Sequence, residues 1–264
     1  MASDAETCVS ILTTFTGERI IPDDLYLDDV LFQRHLAAYK FIAKYIKAET
    51  KILDAGCGEG YGSDFLSTKC RKIVGVDIAI ETIENARRRY RQDNLEFLVT
   101  NSTNLCFPDN IFDVVCSFQV IEHIEDYQRY LGELKRVLVP HGFIILSTPN
   151  KITSPPGNPY HIKEFYPDEL TRTMQEYFSK CELLGLNPTF NLGEAIVMTI
   201  KLDIIGIASL KRLIPKSIKR AILKGVSIIA NKEYKLRQDV CAENFKISKD
   251  DIISSLDLIA VCQK

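Results

Sequence analysis

The sequence predicts an α/β fold: an open, doubly wound, largely parallel sheet with helices on both faces. Three observations carry this. Lys51 to Leu66 (KILDAGCGEGYGSDFL) reads as a buried strand, a glycine-rich turn and the start of a helix. Arg71 to Asp77 (RKIVGVD) reads as a second buried strand ending in a carboxylate, about twenty residues further on as a nucleoside-binding βαβ unit requires. Strand-like apolar runs then keep alternating with amphipathic stretches as far as Ser147, the pattern of a parallel sheet built from βα units. A chain of 264 residues with 46% hydrophobic content supports one such domain with an elaboration.

The N-terminal stretch, residues 1 to 50, carries Asp4 and Glu6 with no basic leader and no long apolar run, so no signal peptide is expected. No uncharged apolar run approaches the ~18 residues that span a bilayer, and a cytoplasmic protein is expected. The eight cysteines are scattered without a C-x-x-C pair and read as reduced, mostly buried thiols. Residues 28 to 46 predict a helix, with Leu31, His35, Leu36, Tyr39, Ile42 and Ile46 at helical spacing.

In the first strand and its turn, Asp54 sits at the strand end, while Gly56, Gly58 and Gly60 allow positive φ and close backbone approach to a ligand. Asp77, ending the second strand, is placed to accept from the two hydroxyls of a ribose. A helix follows with arginines on its outer face, then a third strand over residues 94 to 99 and the pair Asn101-Ser102. Residues 113 to 119 form a fourth strand ending in Ser117-Phe118-Gln119, and VIEHIED opens a helix at the sheet's carboxyl end. There Glu122 and His123 face any ligand held by the glycine turn. Tyr127 to Val139 is an amphipathic helix ended by Pro140-His141-Gly142, Phe143 to Ser147 a fifth strand, and residues 180 to 186 a sixth. Between these last two, a proline- and glycine-rich loop leads into HIKEF, which makes Tyr160, His161 and Glu164 candidates for substrate binding or proton handling, with Asp168 in the first turn of the next helix.

The pattern D-x-G-x-G-x-G, followed by VGVD at this distance, resembles motif I of the class I S-adenosylmethionine-dependent methyltransferases. TGER from Thr16, then HLAAY, then this motif resembles a bacterial group associated with surface-glycan and O-antigen clusters. More distant is a likeness to ubiquinone-pathway O-methyltransferases through VIEH. The resemblance covers residues 16 to 264 and implies a Rossmann-like sheet of seven strands. The last strand is then Leu256 to Cys262, and residues 190 to 250 are an insertion before it. S-adenosylmethionine is the implied cofactor, cradled by Asp54, Gly56, Cys57, Gly58 and Gly60. The resemblance places its ribose on Asp77 beside Ile78, its adenine by Asn101 and Ser102, with Phe118 and Gln119 beneath and Arg19 and Tyr39 closing over it. The implied reaction is O-methylation of a sugar or glycan precursor, with a quinone or other small molecule as the alternative acceptor. His123 is the first candidate base and His161 the second, with Glu122 or Glu164 orienting a ring.

The distant ubiquinone-pathway group has E-x-x-E-H where this chain has Gln119-Val-Ile-Glu122-His123. A neutral amide holds magnesium poorly, so no metal is expected. No basic aromatic groove points to nucleic acid. The residues leave open a non-catalytic nucleoside-binding regulatory domain, for which Asn101 and Gln119 speak, and a dinucleotide oxidoreductase, whose G-x-G-x-x-G would need glycine at Tyr61.

Overall charge is nearly balanced, 33 bases to 35 acids, but Lys211 to Arg237 holds nine bases against the single acid Glu233. Within it, Lys216 to Ile229 reads as a basic amphipathic helix. Two readings stay open: peripheral contact with the inner face of a membrane or a polyanion, and a lid or oligomer face.

Overall fold

The computed structural model describes residues 30–154, 158–189 and 241–264; Arg19, the TGER segment and the basic stretch 211–237 lie outside them. Eight strands form one sheet in the order β3-β2-β1-β4-β5-β8-β6-β7. They are β1 (Lys51–Ala55), β2 (Lys72–Asp77), β3 (Leu95–Val99), β4 (Phe112–Phe118), β5 (Leu138–Pro149), β6 (Ser179–Pro188), β7 (Phe245–Ser248) and β8 (Asp257–Gln263). β1 to β5 run parallel, and β8 inserts antiparallel between β5 and β6. The strand order reverses between β1 and β4, so the crevice at their carboxyl ends is where an open α/β sheet binds its ligand.

Side chains alternate across each strand, and both faces are buried. Leu53, Val115, Ile144 and Leu146 pack with Leu131 and Leu134 of α4 (Tyr127–Val137) and Leu170 and Met174 of α5 (Pro167–Tyr177). On the other face Ile52, Val114, Cys116 and Ile145 meet Ala37, Ala38 and Ile42 of α1 (Val30–Ile42) and Leu66 of α2 (Tyr61–Ser67). A smaller cluster joins Ile83 and Ala86 of α3 (Ile80–Arg89) to Phe97 and Cys57. No described helix is long and apolar enough to cross a membrane.

Three local expectations are revised. Seven strands become eight, because Phe245–Ser248, assigned from sequence to the insertion, hydrogen-bonds along β6 from Pro188 to Gly185 as an edge strand. Pro140-His141-Gly142 does not separate α4 from β5. The strand starts at Leu138, and His141 adopts φ 63 in a bulge whose backbone pairs with Lys264, an option a short turn-like sequence conceals. Residues 121 to 123 make a 3-10 turn rather than the start of a helix. α4 begins after Asp126, whose carboxylate accepts from Arg129 N at 3.0 Å.

Candidate active site

The glycine turn is fastened to the end of β2 by its own backbone: Gly56 N and Cys57 N both donate to Val76 O, at 2.8 and 2.9 Å. Gly56, Gly58 and Gly60 have φ of 82°, 53° and 82°. Their surroundings differ. A Cβ on Gly56 would lie 2.3 Å from Val120, and one on Gly60 2.6 Å from Phe97, so both glycines are required by packing. A Cβ on Gly58 would meet nothing within 4 Å, so there the backbone borders open space, as a cradle for a ligand must. Asp77 completes this half, one carboxylate oxygen accepting from Gly58 N (3.1 Å) and the other from Ala79 N (2.9 Å). Each oxygen keeps lone-pair capacity for a hydroxyl. Ile78 and Val99, exposed at the carboxyl ends of neighbouring β2 and β3, form an apolar shelf beside it; Val99 was not singled out from sequence.

Other cofactor candidates fall elsewhere. Asp54 is fully buried under the turn, accepting from Ser63 (2.6 Å) and Tyr39 (3.2 and 3.3 Å) and more weakly from the Cys116 thiol. Burial raises its carboxyl to about 6, against those hydrogen bonds, which lower it. Tyr39 is likewise buried, its ring against Gly62 and edge-on to Phe118 at 4.8 Å, so Tyr39, Phe118 and Asp54 make the floor of the site. The Cys57 thiol is buried, and burial pushes its pKa well up. Ser102 is buried and Asn101 exposed. The Asn101 amide oxygen accepts from both Thr103 N and Thr103 Oγ1 at 2.9 Å, an Asx turn that occupies both lone pairs expected to receive an adenine amine.

The acceptor side is assembled from segments far apart in the chain. The stretch after β5, described over residues 150–154 and 158–165, is pinned at its neck, with Lys151 N donating to Phe165 O at 3.1 Å. It is stapled to the 3-10 turn by Ile162 N and Lys163 N, which donate to Glu122 O (2.8 and 3.1 Å), and by His123 Nδ1, which meets Tyr160 O at 2.9 Å. His161 and His123 therefore stand edge to face with ring centroids 5.1 Å apart. His161 Nδ1 meets Glu164 Oε1 at 2.6 Å, and the same oxygen accepts from Ser154. Glu122 is fully buried, taking Thr148 Oγ1 on one oxygen at 3.0 Å and lying 4.0 Å from His123 Nε2 through the other.

A carbonyl and a carboxylate only accept, so in these contacts each histidine donates from Nδ1. His161 Nε2 then accepts from the Asn158 amide at 3.0 Å, while His123 Nε2 is the nitrogen turned toward Glu122. Glu122, His123 and His161 offer ligand atoms within 4.8 Å of one another. Read along the chain, Glu122 and His123 lack a third donor; the fold supplies one in His161.

Gln119 holds φ 58, and its amide nitrogen donates to Ser147 Oγ and to Asp257 Oδ1, both at 3.2 Å. Asp257 is buried and bound by Arg34 of α1, whose Nε lies 2.6 Å from Oδ2, while Nη2 reaches Oδ1 and Leu256 O. This clamp joins the N-terminal helix to the last strand at the crevice. Neither residue was picked from sequence: an arginine on a helix and an acid opening a strand are ordinary until the fold pairs them. Asn150 was passed over similarly; fully buried, it donates to the carbonyls of Ile252, Ile253 and Ser255 at 3.0–3.1 Å.

A Methyltransferase domain family model matches residues 53–146, from β1 to the middle of β5. A probable S-adenosylmethionine-dependent methyltransferase of Mycobacterium tuberculosis is 41% identical over 172 residues, 63% of this chain and 61% of its own length. One from Mycolicibacterium smegmatis is 37% identical over 177 residues, 65% of this chain and 67% of its own. The chain belongs to the S-adenosylmethionine-dependent methyltransferases. It spans about three-fifths of the length of the M. tuberculosis relative. A ubiquinone biosynthesis O-methyltransferase of Actinobacillus pleuropneumoniae is 32% identical over 110 residues, 38% of this chain and 46% of its own. Among solved structures, a Thermotoga maritima S-adenosylmethionine-dependent methyltransferase superposes with a TM-score of 0.58, covering 98% of this chain and 97% of its own at 15% identity, a likeness of fold. The cofactor of this methyltransferase is accordingly S-adenosylmethionine, and the open face of Gly58 beside Asp77 fits a ribose-bearing ligand.

Proposed function

We propose that this methyltransferase O-methylates a sugar or glycan precursor in surface polysaccharide biosynthesis, with His123 as the base that takes the hydroxyl proton. The observation that carries the O-methylation is the His123–His161 pair, with Glu122 and Glu164 beside it, on a turn whose Val120 packs against Gly56 of the cofactor cradle. Similarity to a ubiquinone biosynthesis O-methyltransferase supports oxygen as the accepting atom and keeps a quinone-like phenol as a second reading. The TGER-HLAAY-motif I resemblance supports the sugar.

When bound, S-adenosylmethionine supplies a methyl on a sulfonium, already electrophilic. The protein must position an oxygen in line with it and remove a proton as the C–O bond forms. His123 suits the second task because Tyr160 O holds its proton on Nδ1 and leaves the lone pair on Nε2. His161, held by Glu164 and Asn158, keeps the loop that carries Tyr160 in place. The buried Glu122 lies near enough to stabilise the imidazolium that forms.

Incubation with labelled S-adenosylmethionine and a panel of sugars, nucleotide sugars, lipid-linked glycans and quinols tests the reading. His123→Gln is expected to lower kcat by about 10²–10⁴ while cofactor affinity stays within twofold. Label appearing on nitrogen, or full turnover without His123, would refute the base assignment.

A further inference from the structure

We propose that Cys181 and Cys262 form a dithiol modification site, which peroxides oxidise to a disulfide joining β6 to β8. The observation is that the two side chains hydrogen-bond across neighbouring antiparallel strands, with Cys181 half-buried and Cys262 buried.

A bulge sets the local geometry. Ser179 pairs with Gln263 and Glu182 with Val261, so Lys180 and Cys181 together face the single residue Cys262, and Lys180 takes φ 46 to fit the extra residue. Cα atoms of residues opposed across antiparallel strands lie about 4.5–5.5 Å apart, within the roughly 4.4–6.8 Å that a disulfide bridges. Both cysteines turn to the same face of the sheet, Cys262 inside the core cluster with Leu258, Ala260 and Met174, and Cys181 packed on its margin. Cys181 Sγ lies 3.7 Å from both Phe178 O and Ser179 O, where α5 gives way to β6.

The two sulfurs divide the chemistry. The hydrogen bond from Cys262 lowers the Cys181 thiol below its ordinary pKa, against burial, which raises it; the same bond and burial raise Cys262. The partly exposed Cys181 is therefore the sulfur that meets peroxide. Its thiolate attacks one peroxide oxygen, the O–O bond breaks, and the departing hydroxide takes up the proton the thiol gave, leaving as water; Cys181 becomes a sulfenic acid. The Cys262 sulfur then attacks the sulfenic sulfur. The S–O bond breaks, and hydroxide leaves with the Cys262 proton as a second water. Two thiols lose two electrons, and one peroxide is reduced to two waters. Thiol exchange with a reductant restores the pair. With a second thiol in contact, Cys181 returns from the sulfenic state instead of passing on to sulfinic acid, which thiols do not reverse.

Cys262 pairs with Ile144, toward the amino end of β5, whereas Asp257 pairs with Pro149 beside the crevice. The site therefore stands apart from the methyl-transfer reading and does not depend on it.

Native full-length protein is treated with hydrogen peroxide, quenched, alkylated under denaturing conditions and mapped by mass spectrometry. A linked Cys181–Cys262 peptide, lighter by two hydrogens, is expected from the wild type, with both free thiols recovered after dithiothreitol. Cys181→Ser should abolish the link. Cys262→Ser, its thermal midpoint checked first, should accumulate sulfinic acid at Cys181 several-fold above wild type. Both thiols still open to alkylation while the exposed Cys106 and Cys241 are oxidised, or a link that forms only after denaturation, would overturn the site. Equal sulfinic acid at Cys181 in wild type and a folded Cys262→Ser would overturn it as well.

Discussion

The two halves of the crevice are made in different ways. The cofactor half is almost entirely local: residues 51 to 79 supply the turn, the carboxylate of Asp77 and the backbone amides that hold both, and its decisive contacts lie within about one βαβ unit. The acceptor half draws on α1, the end of β4, the described stretch after β5, the turn at 252–255 and the start of β8. Contacts such as Arg34–Asp257 and Asn150–Ser255 link residues more than a hundred positions apart. Short-range backbone chemistry builds the first half, and long-range side-chain pairing builds the second.

If the halves are separable in this way, each should break without the other. The largest effect is expected at the clamp. Arg34→Ala leaves the buried Asp257 without its cation and should destabilise the protein by about 3 kcal/mol in chemical denaturation. At the temperature where the variant is folded, cofactor affinity should stay within twofold of wild type while acceptor turnover falls. A comparable loss of cofactor affinity would show that the halves are one unit.

Two titrating groups beneath the cofactor half, the fully buried Asp54 and the half-buried His35, give an effect of similar size. Burial raises Asp54 from 3.8 to about 6, so the folded state holds its proton more tightly, and this contribution to stability is present at low pH and lost as pH rises through 6. Burial lowers His35, whose Nδ1 meets Tyr61 OH at 3.2 Å, from 6.5 to about 4. Its contribution has the opposite sign, present above 6.5 and lost as pH falls toward 4. Each amounts to about 3 kcal/mol across its range, so the two offset one another between about pH 4.5 and 6. Wild-type stability should be nearly level there. Asp54→Asn should leave stability rising with pH and His35→Gln should leave it falling; parallel profiles for both variants would contradict the assignment.

Asp77→Ala should weaken S-adenosylmethionine binding by about 100-fold, the loss of two charge-assisted hydrogen bonds, with the Glu122–His123–His161 cluster unaffected. Unchanged affinity in calorimetry would remove the ribose assignment. The smallest effect belongs to Gly58→Ala. Its Cβ meets no atom of the protein, so stability should drop only by the left-handed backbone term of about 1 kcal/mol, whereas cofactor affinity should fall because the methyl enters the open cradle. Gly60→Ala, with Phe97 2.6 Å from the new carbon, should reverse that ranking.

Legibility of the site followed the same division. The left-handed backbone of Gly58 and the place of Asp77 beside it were readable, because a glycine turn between two apolar strands is a local feature. Asp54 and Tyr39 were found but cast as ligand contacts, because sequence does not report depth: the same carboxylate at a strand end can face a ligand or, as here, Ser63 and Tyr39 below it. Asn101 was named for an oxygen that Thr103 already engages. His123 and His161 were both candidates, yet their meeting through Tyr160 O and Glu122 O was not visible in the residues between them.

The sequence by itself determined the fold class, the succession of the first five strands and the glycine turn that Asp77 braces, because strand periodicity, glycine φ and a terminal carboxylate act over a few residues and repeat the same physics in any context. Tertiary structure alone decided that β8 carries Asp257 to Arg34 and Gln119, that Phe245–Ser248 becomes an eighth strand, and that two histidines 38 positions apart share one cluster. Those outcomes depend on which surfaces are brought face to face once the core is buried, and pairing across that distance leaves no periodic trace in the chain.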